Sequence, residues 1–324
     1  MQFGNYRWSF LLAAVSFLTV SACDLFAQDF PNRPVRVIVP YSAGGGTDIT
    51  IRTIQERASA ILGQQLVIEN RAGGGTLIGT KAVEKATPDG YTVGVFDPAF
   101  IINPTISSTD YDPLTGFIPV SLITVTPLIL VVPSSTPFRT LKELVDYAAA
   151  NPGKLTYASP GIGSGGHMAM EQFCNAFKLK IVHVPYKGSG PGIVALLAAE
   201  TNMLLAGSGI TPFVQEGRLR ALAVTGAKRL SAVPDVPTFI ELGYPNVNVQ
   251  TFAGMVAPAG TPQAIIDKLH NAVAAAVRTP AVAARLDQVG QIPVGNTPAE
   301  FRTFLQEGTI NLKAIARDSN IKIN

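Results

Sequence analysis

The sequence predicts an α/β fold of two lobes, each a mostly parallel sheet with helices on both faces. Three observations carry this. Short runs of β-branched residues alternate with helical stretches, the pattern of open sheets with crossover helices. Glycine-rich turns recur between a strand end and a helix start, where such sheets bind ligands. The chain also changes character twice, at a proline-interrupted β-forming run near residue 126 and after a proline-marked loop near residue 250. We therefore expect a first lobe of residues 28–126 plus 250–324 and an inserted second lobe of residues 127–249, the two crossovers forming a hinge.

The first unit is the most informative. Residues 35–39 (Val-Arg-Val-Ile-Val) read as a buried strand, ended by Pro40. Gly44, Gly45 and Gly46 give a turn that lets a ligand approach the backbone. Thr47 and Asp48 are capping types for a helix over residues 49–62. Free N–H groups and the positive end of a helix dipole thus meet at a strand's carboxyl end, a place for an anion. A tight βα turn without a ligand accounts equally well for this stretch alone. Residues 65–69 repeat the logic, followed by Gly73, Gly74, Gly75 and Thr76 and a helix over 77–86. Residues 91–96 form a third strand, with Asp97 and Pro98 as cap and first position of another helix.

Residues 119–132 are β-forming and broken at Pro127. Thr140, with Glu143 three residues on, marks a capping box for a helix over 140–150. A strand over 155–158 runs into Ser159-Pro160-Gly161-Ile162-Gly163-Ser164-Gly165-Gly166 and a helix over 167–177. A strand over 181–184 leads through Tyr186, Lys187 and Gly188 to a helix over 191–199, and a strand over 203–206 ends in Gly207-Ser208-Gly209. Strands follow at 220–225 and 247–256. Helices over 263–277, 281–289 and 298–316 lack glycine loops at strand ends and are expected to pack on the first lobe.

At 324 residues, 47% hydrophobic and 15% charged, the chain is globular and large enough for about two domains. A net charge of +3 without a basic run makes nucleic acid a poor partner. Arg7 and the apolar stretch 10–20, too short to span a bilayer, read as an export signal. Two processing readings are open: cleavage after Ala27, which we favour, or a lipoprotein box ending in a lipidated Cys23. Either exports the protein. Cys174 is then left as a small buried hydrophobe.

Several chemistries lack their signatures. Gly161 to Gly166 matches G-x-G-x-x-G, but the next strand ends in Pro185-Tyr186-Lys187, where a dinucleotide site needs an acid. No G-x-S-x-G elbow surrounds a serine and no G-K-[ST] follows a glycine loop. His167, His183 and His270 form no metal-ligand spacing. No cofactor or metal is expected. His167, at a helix start, is a candidate donor to a ligand, whereas His183 reads as a satisfied core histidine. Lys187 reads equally as a partner for an anion or as a solvated loop residue.

Longer segments carry a resemblance. Phe30-Pro-Asn-Arg-Pro34, Val39-Pro-Tyr-Ser-Ala-Gly-Gly-Gly-Thr-Asp48, Glu69-Asn-Arg-Ala-Gly-Gly-Gly75, Pro88-Asp-Gly-Tyr91, Val184-Pro-Tyr-Lys-Gly188, Gly217-Arg-Leu-Arg-Ala-Leu-Ala223, Val233-Pro-Asp-Val-Pro237 and Ala257-Pro-Ala-Gly-Thr-Pro262 are all present, in order. Together they resemble the Bug family, the solute-binding receptors of tripartite tricarboxylate transporters. The resemblance implies a type II periplasmic binding protein, a Venus flytrap without enzymatic activity. It would capture a small carboxylate and hand it to membrane permease subunits; we expect it to be a monomer. By the same resemblance, loop backbone from both lobes would hold the ligand. In the first lobe this falls on Tyr41, Ser42, Ala43, Gly45, Gly46, Thr47 and Asp48, and on Gly73, Gly74 and Thr76. In the second it falls on Ser159, Gly161, Gly163 and Ser164, with Tyr186, Lys187 and Gly188 nearby; His167 joins them by its place at the helix start rather than by the resemblance. Asp48 is expected mainly to hold its loop, since it would repel an anion.

Two places depart from the family pattern. Phe96 and Asp97 stand where small or hydroxyl residues are usual, and Gly207 and Ser208 where an acid or asparagine is common. We expect Phe96 and Asp97 to favour a ligand whose far end is apolar or carries a donor; Asp97 acting only as a helix cap is the competing reading. Two other functions stay open: a solute-binding sensor partner of a two-component kinase, with the same fold, and an exported hydrolase, which lacks a signature here.

Overall fold

The computed structural model describes residues 30–207 and 209–321. The segment holding the export signal, Cys23 and Ala27, and Ser208 as well, lie outside the described residues. The elements in order are β1 (Val35–Val39), α1 (Gly46–Leu62), β2 (Leu66–Asn70), a 3-10 turn (Gly74–Thr76), α2 (Leu77–Glu84), β3 (Thr92–Phe96), α3 (Pro98–Ile106), β4 (Phe117–Thr126), β5 (Ile129–Pro133), α4 (Leu141–Ala150), β6 (Thr156–Ser159), α5 (Gly165–Phe177), β7 (Val182–Pro185), α6 (Ser189–Leu197), β8 (Met203–Ala206), α7 (Thr211–Gln215), β9 (Leu219–Val224), β10 (Thr251–Pro258), α8 (Gln263–Val277), α9 (Pro280–Gln288), β11 (Ile292–Pro293) and α10 (Pro298–Asp318).

These form two sheets, in strand order β11-β4-β10-β3-β1-β2 and β7-β6-β8-β5-β9. Strand alternation sends side chains to opposite faces, and helices cover both. In the first sheet Val35, Val37 and Val39 meet Ile51 and Ile54 of α1 and Ile266 and Leu269 of α8. Ile38, one residue out of phase, joins Phe100 of α3 and Phe301 of α10 on the other face. In the second sheet Leu130 and Val132 pack on Leu144 of α4 and Phe173 of α5, while Ile129 and Val131 pack on Ile193 and Leu196 of α6. Cys174 lies in this core, buried, its thiol pushed up to about 12 by desolvation first and by the charge of Glu171 second.

The sheets are mixed rather than mostly parallel. β2, β1 and β3 run parallel, as do β7, β6 and β8, and these carry the glycine loops. β4, β5, β9 and β10 pair antiparallel. The reason lies in the connection between the sheets. β4 leaves the first sheet at Thr126 and β5 starts the second at Ile129. β10 returns with Thr251 opposite Thr126 and continues to Pro258 opposite Phe117. A strand going out and one coming back over the same ground must run in opposite senses.

The expected capping box is present: Thr140 Oγ1 accepts from Glu143 N, and the Glu143 carboxylate accepts from Thr140 N. Three helices begin two or more residues earlier than expected. α1 starts at Gly46 with Gly45 as its cap, so Thr47 and Asp48 lie inside the first turn rather than capping it. α5 and α6 begin at Gly165 and Ser189.

Candidate functional site

The two sheets present strand ends and loops to a shared cavity of about 160 Å³. From the first sheet come the loop after β1, Asp97 after β3, Thr126 of β4, and Thr251 to Ala253 of β10. From the second come Leu128, Pro160 after β6, Lys187 to Pro191 after β7, and Leu205 to Gly207 at β8.

Helix N-termini dominate this lining. Gly45 to Thr47 open α1, Ser164 to Gly166 open α5, and Gly188 to Gly190 open α6. Backbone N–H groups in a first turn have no intrahelical acceptor, and each helix adds the positive end of its dipole. A fourth helix, α3, also starts here, but Asp97 caps it by accepting from Ala99 N at 3.0 Å. Two N-termini without a side-chain cap (α1 and α6), one capped by the Ser164 hydroxyl, which accepts from His167 N at 3.3 Å, and one capped by a carboxylate therefore border a single cavity.

The loop after β1 is held from behind. Asp48 is buried, and Gly44 N (2.8 Å), Arg52 Nε (2.8 Å) and Asn70 Nδ2 (3.0 Å) all donate to its carboxylate. Burial raises its pKa, but these hydrogen bonds and the charge of Arg52 outweigh burial and leave it lowered. Asn70 Nδ2 also donates to Tyr41 O at 2.9 Å, and Gln291 Nε2 to Gly46 O at 3.2 Å. Gly44, at φ +84°, turns its N–H inward to Asp48, a conformation open to glycine at little cost.

Of the residues singled out from the sequence, Tyr41, Ser42, Ala43, Gly45, Gly46, Thr47, Asp97, Ser164, Lys187, Gly188 and Gly207 line the cavity. The others, apart from Ser208 outside the described residues, are placed elsewhere. Asp48 stands behind its loop. Gly73, Gly74 and Thr76 follow β2, the edge strand, one strand too far from the crossover strands to reach the cavity. Asn103 of α3 clamps that turn instead, its Nδ2 donating to Gly75 O at 2.5 Å and to Thr76 Oγ1 at 3.1 Å. The Phe96 ring stacks on Phe100 at 4.8 Å in the core, because strand parity points it away from the cleft.

Ser159 is fully buried with Oγ 2.6 Å from His183 Nε2. Gly161 and Gly163 shape the turn but do not line the cavity. His167 is buried, accepts from Gly163 N through Nδ1 at 3.0 Å, and stacks on His183 with ring centres 4.0 Å apart. It is turned towards His183 and does not line the cavity. His183 is the satisfied histidine that the sequence suggested. Tyr186 packs beside the core under α6.

Sequence reading overlooked several lining residues. Gly165, Gly166, Ser189 and Gly190 are expected in loops ahead of their helices; they line the cavity as first-turn residues of α5 and α6. Thr50, Thr126, Thr251 and Gln291 carry no local signal; tertiary packing alone places them there. Among the described residues no cluster of three metal-ligating side chains occurs, and no helix is long and apolar enough to cross a membrane.

Two mixed α/β sheets joined by paired crossover strands, with a cavity lined from both, define a class: the two-lobe solute-binding proteins. Comparison with known proteins agrees. The family described as the tripartite tricarboxylate transporter family receptor matches residues 50–321. A UPF0065 protein of Cupriavidus necator is 35% identical over 94% of this chain and 94% of its own. Protein BugT of Bordetella pertussis is 32% identical over 97% and 98%. Among solved structures, a periplasmic transporter superposes with a TM-score of 0.86 at 36% identity, covering 91% of this chain and 100% of its own. An R. palustris protein with adipate gives 0.86 at 32%, covering 91% and 99%. MatC from Rhodopseudomonas palustris with bound malate gives 0.83 at 30%, covering 88% and 99%. The chain belongs to the tripartite tricarboxylate transporter receptor family, and it is a solute-binding receptor rather than an enzyme.

Proposed function

We propose that the mature chain works in the periplasm, capturing a small organic carboxylate in the cleft and delivering it to the permease subunits of a tripartite tricarboxylate-type transporter. The observation that carries this reading is the convergence of the N-termini of α1, α5 and α6 on one cavity. Their N–H groups and dipole ends suit an anion from both lobes at once. The adipate and malate held by two similar proteins support the ligand class. Residues 28–126 with 250–324 would form one jaw and residues 127–249 the other, turning about the crossovers near 126 and 250. Ligand binding would then shift an open–closed equilibrium of a monomer.

A thermal-shift screen of the mature protein against mono- and dicarboxylates and neutral solutes tests this. Matching carboxylates should raise the melting temperature by mass action, about 2.7 kcal/mol of stabilisation at a hundredfold excess over Kd. Gly45→Val is the matched control. A Cβ at Gly45 meets only Ser42 O, at 3.6 Å, so the fold accepts it, while the larger side chain blocks the α1 N-terminus. It should weaken every carboxylate by roughly tenfold or more. A neutral solute that stabilises the protein where no carboxylate does would contradict the proposal.

A further inference from the structure

The cavity is not uniformly suited to anions. At the start of α3 the capping role is already filled by a carboxylate. Asp97 is 8% exposed, lines the cavity, and forms no ion pair with a lysine or arginine among the described residues. Beside it lies the Tyr41 hydroxyl, whose oxygen is buried. The two groups are near enough for the hydroxyl to steady the carboxylate, yet they fall short of a closed hydrogen bond, and the Tyr41 hydroxyl has no hydrogen-bond partner among the described residues. A buried polar atom left in this way costs about 1–3 kcal/mol, so a group that completes it is favoured.

Resting on the carboxylate-receptor reading above, we propose that Tyr41 and Asp97 form a donor-reading subsite. The ligand is then a small carboxylate whose far end carries a hydrogen-bond donor, a hydroxyl or an ammonium group. Its carboxylate lies at the open helix N-termini, and its donor bridges the Asp97 carboxylate and the Tyr41 oxygen. A second carboxylate at that end would meet like charge. Asp97 therefore serves two ends: it caps α3 with one oxygen and selects the ligand with the other.

The surroundings set the pH at which this selection works. Burial pushes the Asp97 carboxyl up to about 6, while Tyr41 and the backbone amides of Ala99 and Asp97 pull the other way. Tyr111, in the segment after α3, is raised by burial and then by the Asp97 charge, with Glu84 of α2 adding to it. Lys187 lines the cavity from the other sheet. Above about pH 6 Asp97 is ionised and accepts; below it the carboxyl is protonated and tolerates an acceptor.

Calorimetric titration of the mature protein with an ω-hydroxy acid, an ω-amino acid and a dicarboxylate, matched at each chain length from four to six carbons, tests the proposal at pH 5 and pH 7.5. At pH 7.5 one of the two donor-bearing ligands should bind at least about tenfold more tightly than the dicarboxylate of equal length. Which of the two leads identifies the donor. Its affinity should fall at pH 5. Asp97→Asn caps α3 as well as aspartate does, so the fold is kept. That variant should lose roughly 10- to 100-fold for an ammonium ligand and lose the pH dependence. Equal or tighter dicarboxylate binding at pH 7.5, with the ranking unchanged in Asp97→Asn, overturns the donor-reading subsite and leaves the carboxylate receptor standing. Failure of all these acids to bind, with a neutral solute binding instead, overturns both.

Discussion

Asp48 and Asp97 are buried carboxylates near the starts of two helices, and their partners send them to different roles. Asp48 receives three donors and locks the loop behind the cavity. Its lowered pKa means that its contribution to stability is present above the unfolded value and lost as pH falls through the lower folded one. Asp97 keeps a raised pKa at the cavity wall and contributes in the opposite sense, adding stability as pH falls from about 6 towards the unfolded value. The stacked pair His167 and His183 acts against Asp97. Burial, with the charge of His183 second, lowers His167 to about 3, and burial lowers His183 to about 4. Both lie below the unfolded value, so the unfolded chain binds more protons below about pH 6.5 and stability drops there. His167 alone should cost about 2 kcal/mol at pH 5 relative to pH 8. Melting curves over that range should show the loss, a smaller one in His183→Gln, and a larger one in Asp97→Asn. A flat profile would mean that the histidines are not held neutral. The sequence made Asp48's holding role legible, because a carboxylate beside an expected anion site is otherwise unfavourable. It could not orient Phe96, Ser159 or His167, whose direction depends on strand parity and on where a helix begins.

At the scale of elements, the units that repeat in sequence are not equivalent in space. The strand–glycine–helix pattern occurs after β1 and after β2, but only the first faces the second sheet. β1 lies inside the order β4-β10-β3-β1, whose neighbouring strand ends border the cavity, while β2 is the sheet edge. Strand order arises from long-range pairing and is absent from local pattern, which is why the loop of Gly73 to Thr76 was misplaced. The alternation itself, and the break at Pro127 that separates β4 from β5, were legible because β-branched runs and proline act locally. β10 binds the elements together, pairing with both β3 and β4. It passes under α10 at Gly254, where an added Cβ would overlap the Phe301 ring. Gly254→Val should cost about 1–3 kcal/mol by overpacking. Chemical denaturation reads this directly, and a variant as stable as the parent would show that α10 does not press on the sheet.

For the whole molecule, the paired crossover strands place Thr126 and Thr251 side by side where the chain leaves and re-enters the first sheet, and both line the cavity. The junction between the sheets and the cavity are thus one region. Motion about the crossovers would open or close the cavity; three hydrophobic clusters keep to one sheet each, while Met168 of α5 packs into the cluster of Phe96, Phe100 and Phe301 and would move against it. The two-lobe plan could be read from the two changes in sequence character. The mixed strand directions could not, because they follow from the outward and returning strands lying side by side. The central claim is that an anionic group sits where the N-termini of α1, α5 and α6 meet. A crystal structure of the mature protein with the tightest carboxylate from the screen tests it most directly. The account predicts ligand carboxylate oxygens within hydrogen-bond distance of backbone N–H groups among Gly45 to Thr47, Ser164 to Gly166 or Gly188 to Gly190, drawn from both lobes. A carboxylate seated away from all three helix starts would contradict it.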